Sequence, residues 1–326
     1  QYEGGRRACH SHRRLVGVLF SPGGVGRAGA AIGAALRRSV GLDVDPAGAF
    51  RHHQFAFDQH VEAGRRLSLD VDRARLEGRD EQLTIPADPG RNDEDRHLIS
   101  EQQMDFLLNS LSESNSQWRF IGQQVMFAQL NIAEIPSLSE RHAQLRGNLS
   151  AINMDQWDGY AADRLKILNH IDDNDIDNVV ILTGDIHTSW ASEIYRNPGT
   201  LLGDLFDKAL AAEFVTPAVT SPGFPEGVAE LAGVVIPVAN PHIRYVEAKS
   251  RGFILVDVTR RRAQGEFYYA QSIESYDLRG QINTAKTKVV TVKSGDSRII
   301  EDQPLSRPRT LRTAFSHPPV LNTEEV

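Results

Sequence analysis

Cysteine is nearly absent: Cys9 is the only one in 326 residues. A lone thiol excludes a disulfide framework and a cysteine-built zinc centre. It is compatible with export, since nothing needs to be kept reduced or paired. Long apolar runs are missing as well, and without about 18 consecutive apolar residues there is no membrane-spanning helix. Positive charge is in deficit: 36 Lys and Arg stand against 43 Asp and Glu, a formal net of −7. No global basic field exists to draw the chain to nucleic acid or anionic lipid. An anionic substrate would have to be attracted locally, by a metal or a few arginines. Internal repeats and extended low-complexity tracts are also missing, which excludes a solenoid. No feature of the sequence fixes an oligomeric state.

What remains is an ordinary globular composition, 40% hydrophobic and 24% charged. That length and composition suit one large domain or two smaller ones with a buried core. The character of the chain changes near residue 75. Residues 1–74 are rich in Arg, Gly, Ala and His, and their hydrophobic periodicity is weak. Arg13-Arg14 followed by Leu15–Phe20 looks like a twin-arginine export signal, but Ser21-Pro22-Gly23-Gly24 and Arg27 break the apolar run. Gly24-Val25-Gly26-Arg27-Ala28-Gly29 matches the dinucleotide fingerprint, with a strand-like run before it and Asp43 and Asp45 after it. This makes a dinucleotide-binding module the rival reading from another class. Such a fingerprint counts only inside a strand–helix–strand unit, and no second unit follows.

From Leu76 onward clear elements succeed one another. Ser100–Ser112 reads as a helix capped by Ser100 with Gln103 at its third position. Trp118–Phe127 reads as a buried strand, and Ala161–Ile171 as a helix with Leu165, Leu168 and Ile171 on one face. Asn178–Thr183 is a short apolar run of the kind buried on both faces of a parallel sheet. Further strands are expected at Glu213–Val219, Ile243–Glu247, Gly252–Val258 and Gly265–Tyr269. Residues 301–326 read as a tail or a surface-hugging extension. Asp173-Asn174-Asp175-Ile176-Asp177 lacks the Gly and Glu of a calcium loop and reads as a solvated turn. Ser221 has no nucleophile-elbow context, which argues against a serine hydrolase. Trp118 is expected to be core; Trp157 and Trp190 suit either packing or a substrate mouth.

The densest chemical pattern is Thr183-Gly184-Asp185-Ile186-His187, directly after the apolar run. Ligands in open α/β sheets gather at the carboxyl ends of strands. If the strand pleat continued, Asp185 and His187 would point to one side. A carboxylate and an imidazole together suit iron, calcium, manganese or zinc. The competing reading is a capped turn whose polar side chains are satisfied locally. Two ligands are also too few, because a catalytic site normally takes at least three from the protein.

Several segments occur in the order of a known family. They are Arg75–Gln82 (RLEGRDEQ), Trp118–Val125 (WRFIGQQV), Asp155–Tyr160 (DQWDGY) and Leu182–Trp190 (LTGDIHTSW). Glu213–Pro217 (EFVTP), Thr220–Gly223 (TSPG), Asn240–His242 (NPH) and Arg251–Phe253 (RGF) follow. In order and spacing across residues 75–270 the chain resembles the PhoD-like phosphatases, the alkaline phosphatase D family of calcineurin-like metallophosphoesterases. The resemblance implies an α/β fold, a four-layer αββα sandwich with mixed sheets, over residues 75–300. It implies hydrolysis of phosphate monoesters and diesters by a metal-activated hydroxide at a polynuclear site of iron and calcium. A small phosphate ester would be the partner, and a periplasmic or secreted location is expected. Asp185 and His187 carry over as metal ligands, and His242 as a substrate-contacting or supporting group. Arg75 falls where the family has the Arg of an Asp-Thr-Arg motif. With Arg79 it is a candidate to fork two phosphate oxygens.

The resemblance fails upstream. The family's Gly-Asp motif and its Asp-Asp-His-Glu motif are not found in residues 1–75. Arg73 and Ala74 stand where Asp and Thr belong, with Asp72 one position away. The break leads to the expectation that residues 1–74 are non-native, read in another frame or belonging to a truncated gene. A half-built site also makes a catalytically inactive remnant the alternative function.

Overall fold

The computed structural model describes residues 15–19, 61–62, 67–71, 78–84, 88–130, 154–196, 207–225, 227–275, 278 and 281–306. Two sheets face one another. The mixed sheet holds seven strands: β2 (Val61–Glu62), β3 (Leu67–Val71), β4 (Trp118–Gln123), β5 (Val179–Thr183), β7 (Ala211–Val215), β6 (Ser189–Ile194) and β8 (Ile243–Glu247), in that spatial order. Strands β3, β4, β5 and β7 run parallel, whereas β6 is antiparallel to both its neighbours. The second sheet is antiparallel throughout, in the order β1 (Leu15–Leu19), β9 (Gly252–Val258), β10 (Arg262–Tyr269), β11 (Lys288–Lys293) and β12 (Asp296–Glu301).

Side-chain alternation along the central strands builds two cores. In β7, Ala211 and Val215 face the helices, and Ala212 and Phe214 face the second sheet. In β5, Val179 and Ile181 take the helix side while Val180 and Leu182 take the other. A strand covered on both faces must be apolar at nearly every position, and all five residues of β5 are buried. Removing each such side chain from water stabilises the fold by about 1.5–3 kcal/mol.

Among the described residues three α-helices cover the mixed sheet: α1 (Glu101–Glu113), α2 (Ala161–Asp173) and α3 (Val228–Ala239). The start of α1 follows from its sequence. Ser100 Oγ accepts the Gln103 amide at 3.2 Å and Gln103 Oε1 accepts the Ser100 amide at 3.1 Å, a reciprocal capping box. Met104, Leu107 and Leu111 then fall on the buried stripe. The α/β sandwich of two facing sheets expected from the sequence is observed, with one sheet mixed and the other antiparallel instead of two mixed sheets. Among the described residues its layers are helices, mixed sheet and antiparallel sheet, and none of the three helices joins the core between the sheets.

Some elements differ from expectation. β4 stops at Gln123, so Gln124–Phe127 is not strand. β6, β11, β12 and α3 are not among the elements expected from the sequence. β6 (SWASEI) is wholly buried despite two serines and a glutamate. α3 has no clean apolar stripe, with Val234 and Val238 exposed, and it contains Pro237. The three tryptophans are all fully buried, so Trp157 and Trp190 pack rather than line a mouth. Residues before 75 supply β1 at one sheet edge and β3 as the parallel partner of β4. The only strand paired with β1 among the described residues is the antiparallel β9, which is not the parallel unit a dinucleotide fingerprint requires. Gly24–Gly29 itself lies outside the described residues, as does the stretch from 307 onward. Before that stretch, Ser306 hugs the outer face of the second sheet, its amide 2.6 Å from Glu266 Oε1 and its hydroxyl on Asp257.

Candidate active site

The parallel strands end together at one edge of the mixed sheet. β5 delivers Gly184–Thr188 there and β7 delivers Thr216–Pro222. The carboxyl end of β8 brings Ala248–Arg251 to the same edge, because Glu247 pairs with Ser189. The loops are stitched to one another. The Thr216 amide donates to the Thr183 carbonyl at 2.8 Å, and the Phe224 amide to the Ala248 carbonyl at 3.2 Å. Gly223 is required here, since a Cβ would lie 2.7 Å from the Ala248 carbonyl oxygen.

Asp185 and His187 occupy this edge, half-buried, but not through a continued pleat. That expectation is corrected: β5 ends at Thr183, and a tight turn follows in which the Ile186 amide returns to the Gly184 carbonyl at 2.9 Å. Asp185 has φ 67° and His187 has φ 62°. Two non-glycine residues in the left-handed region within one turn cost roughly 1–2 kcal/mol each. Strain of this kind concentrates at functional sites. It also changes how the pair is presented, since the turn itself and not strand alternation aims the side chains.

The His187 ring is fixed by the neighbouring loop. Its Nδ1 lies 3.1 Å from the Pro222 carbonyl, which can only accept, so Nδ1 carries the proton. Nε2 is then the nitrogen with the lone pair. Metal-binding histidines are typically held this way, with the second ring nitrogen on a backbone carbonyl. Asp185 supplies a hard oxygen on the same turn. Among the described residues no three His, Cys, Asp or Glu side chains gather as a metal ion would require.

Arg75 lies outside the described residues. Arg79 is described, and its guanidinium is engaged: Nη2 contacts Asp155 Oδ1 at 2.6 Å and Nε contacts the Tyr160 hydroxyl at 3.0 Å. It braces the DQWDGY turn together with Arg96, which lies 4.5 Å over the Tyr160 ring. The arginine that the fold does bring beside the His187-holding loop is Arg251, close enough to meet a Cβ on Gly223 at 2.9 Å. Its RGF motif was visible in the sequence; its place was not, because it depends on how β8 returns to the edge.

His242 is not brought to Asp185 and His187. It precedes β8, whose first residue pairs with Ser192 in the middle of β6, and it is buried on the helix side. Its Nε2 donates to the Gln129 carbonyl at 2.7 Å. That contact belongs to a buried polar clamp. The segment Gln124–Leu130 leaves β4 and crosses the helix-side face of the sheet. Glu213 accepts the amides of Phe127 and Ala128, each at 2.8 Å. Asp158 accepts the Leu130 amide at 2.8 Å. Arg164 Nε donates to the Phe127 carbonyl at 3.0 Å, and its Nη2 to the Tyr195 carbonyl at 3.0 Å. The WDGY, EFVTP and NPH motifs therefore share one physical task.

Burial dominates the electrostatics of the clamp. It pushes the Asp158 carboxyl up to about 6, partly offset by the Leu130 amide and Arg164. It raises Glu213 also, against three donated hydrogen bonds and Arg164. Arg164 is lowered to about 10 by burial, offset by Asp158 and Glu213. His242 is lowered to about 4 by burial, with Arg164 adding to the effect and the Gln129 carbonyl opposing it. The pH consequences of His242 and Asp158 oppose one another. Between pH 4 and 6.5 the unfolded chain binds the His242 proton and the folded chain does not, so stability present above 6.5 is lost as pH falls toward 4. Asp158 behaves oppositely: between 3.8 and about 6 the folded chain holds the extra proton, so its contribution improves on acidification. Asp158→Asn keeps an acceptor for Leu130 and removes that compensation. Its urea-unfolding free energy should drop between pH 7 and pH 4.5 by roughly 2–3 kcal/mol more than wild type. Equal acid sensitivity in the two proteins would refute the assignment.

The fold is thus an α/β sandwich with the Asp185–His187 turn at the carboxyl edge of its parallel strands. The PhoD-like phosphatase family matches residues 52–267, and the chain belongs to that family. The match starts before residue 75 and takes in β2 and β3. Alkaline phosphatase D of Bacillus subtilis (strain 168) is 32% identical over 183 residues, covering 56% of this chain and 28% of that protein. A solved structure of PhoD superposes with a TM-score of 0.63 at 25% identity, covering 82% of this chain and 47% of its own. The chain thus spans less than half the length of the relatives it matches. Among the described residues no helix is long and apolar enough to cross a membrane.

Proposed function

We propose that this chain hydrolyses small phosphate esters at the carboxyl edge of the mixed sheet, with a metal held in part by Asp185 and His187. The observation that carries the reading is the turn after β5. It holds a carboxylate and an imidazole in the costly left-handed region, and fixes the imidazole through the Pro222 carbonyl. A metal bound there supplies Lewis-acid polarisation of the phosphoryl group and activation of the attacking water. Imidazole plus carboxylate suits iron, and calcium would take oxygen donors. Arg251, beside the Pro222–Gly223 loop, is our choice for the arginine that forks the phosphate, in place of Arg79, which Asp155 and Tyr160 occupy. Family membership supports this reading.

A specific observation favours the alternative of an inactive remnant: among the described residues no three His, Cys, Asp or Glu side chains gather to hold a metal ion. Turnover of p-nitrophenyl phosphate by the purified chain separates the two. The phosphatase reading expects hydrolysis that a chelator removes and added iron and calcium restore. A folded protein with no turnover under any metal supplement would establish the remnant.

A further inference from the structure

We propose that Glu213 is a positioning residue of this site, locking the strand end that presents Asp185 and His187 to the segment that leaves β4. The proposal deepens the phosphatase reading and rests on it for its catalytic half. Glu213 sits in β7 with no exposed surface. Its Oε1 accepts from two places at once: the Phe127 amide at 2.8 Å and the Thr183 hydroxyl at 2.6 Å. Its Oε2 accepts the Ala128 amide at 2.8 Å. Every partner is a donor, so the group functions as an ionised carboxylate, with Arg164 supplying the nearby positive charge. Thr183 is the last residue of β5 and directly precedes Gly184 and Asp185.

A buried carboxylate is a costly way to fill a core position, since desolvation offsets most of its attraction to Arg164. An apolar side chain would pack as well and could bond nothing. What the carboxylate adds is geometry. It fixes the height of the β5 end relative to the clamped segment from one rigid strand lying beside β5. The turn stores strain, and a strained turn holds its shape only where the surroundings over-determine it. The Glu213–Thr183 bond and the bond from the Thr216 amide to the Thr183 carbonyl supply that constraint from either side of one residue. Displacing a reacting group by about 1 Å can cost on the order of a hundredfold in rate, so the bond has kinetic consequences.

Thr183→Val removes the hydroxyl and keeps the shape. The variant should stay folded, and the amides of Phe127 and Ala128, which lie on another segment, should exchange with solvent about tenfold faster. Turnover of p-nitrophenyl phosphate should lose at least about tenfold in kcat while KM changes little, and Thr183→Ser should restore both rate and protection. Glu213→Gln keeps one acceptor oxygen and sets an amide NH2 against a donor, so it should also speed exchange at Phe127 or Ala128. Unchanged protection at Phe127 and Ala128 in Thr183→Val would overturn the mechanical link. Faster exchange with unaltered kcat would overturn the positioning role. A wild-type chain without turnover would defeat the phosphatase reading and the catalytic half together, and the exchange arm would still decide the mechanical half.

Discussion

Asp185→Gly and His187→Gly should each lower phosphate-ester turnover by about a thousandfold or more, because on the proposed reading each removes a metal ligand. Stability should stay within about 1 kcal/mol of wild type. The reason is the backbone. Both residues occupy the left-handed region, at φ 67° and φ 62°. Glycine enters that region freely, so relief of roughly 1–2 kcal/mol of strain offsets the roughly 0.5–1 kcal/mol of extra chain entropy glycine loses on folding. The competing reading, in which the two side chains only satisfy a surface turn, makes the opposite forecast of a less stable protein with intact chemistry. Thermal unfolding and p-nitrophenyl phosphate kinetics on the same preparations discriminate, and substantial activity in both variants would remove this turn from the site.

Glu213→Ala should be among the most destabilising single substitutions in the chain, at about 3–5 kcal/mol. Three donors lose their acceptor in a buried setting: the amides of Phe127 and Ala128 and the Thr183 hydroxyl. Each orphaned donor carries a desolvation penalty of roughly 1–3 kcal/mol. Arg164, which is fully buried, also loses one of its two neighbouring carboxylates and keeps only Asp158. Glu213→Gln retains one acceptor oxygen and should cost noticeably less. Urea titrations of the three proteins check this ordering. An alanine variant as stable as wild type would mean that the clamped segment finds other partners and that Glu213 does not hold it.

Much of the scaffold was legible in the sequence where burial imposes a pattern on consecutive residues. The capping box at Ser100, the fully buried β5, and β8 and β9 all follow from local rules, and they are observed where those rules place them. β4 was overextended because Val125, Met126 and Phe127 are as apolar as a strand interior. They are buried by crossing the helix face instead of by pairing. α3 was missed because its exposed valines hide the helical period. For the site, Asp185 and His187 could be read as a pair, but their left-handed turn could not, since backbone strain leaves no mark in side-chain type. His242 and Arg79 looked like site residues because they sit in motifs. The three-dimensional register shows that motif residues also hold segments in place: His242 on Gln129, Arg79 on Asp155. Arg251 could be found only once β8 was known to end at the same edge as β5.

Metal content per chain tests the central claim most directly. The purified protein, supplied with iron and calcium and then desalted, should retain at least one ion per chain, and the Asp185→Gly/His187→Gly double variant, folded to the same extent, should retain none. Equal metal in the two proteins, or a wild-type chain that turns over phosphate ester with no metal bound, would contradict the account.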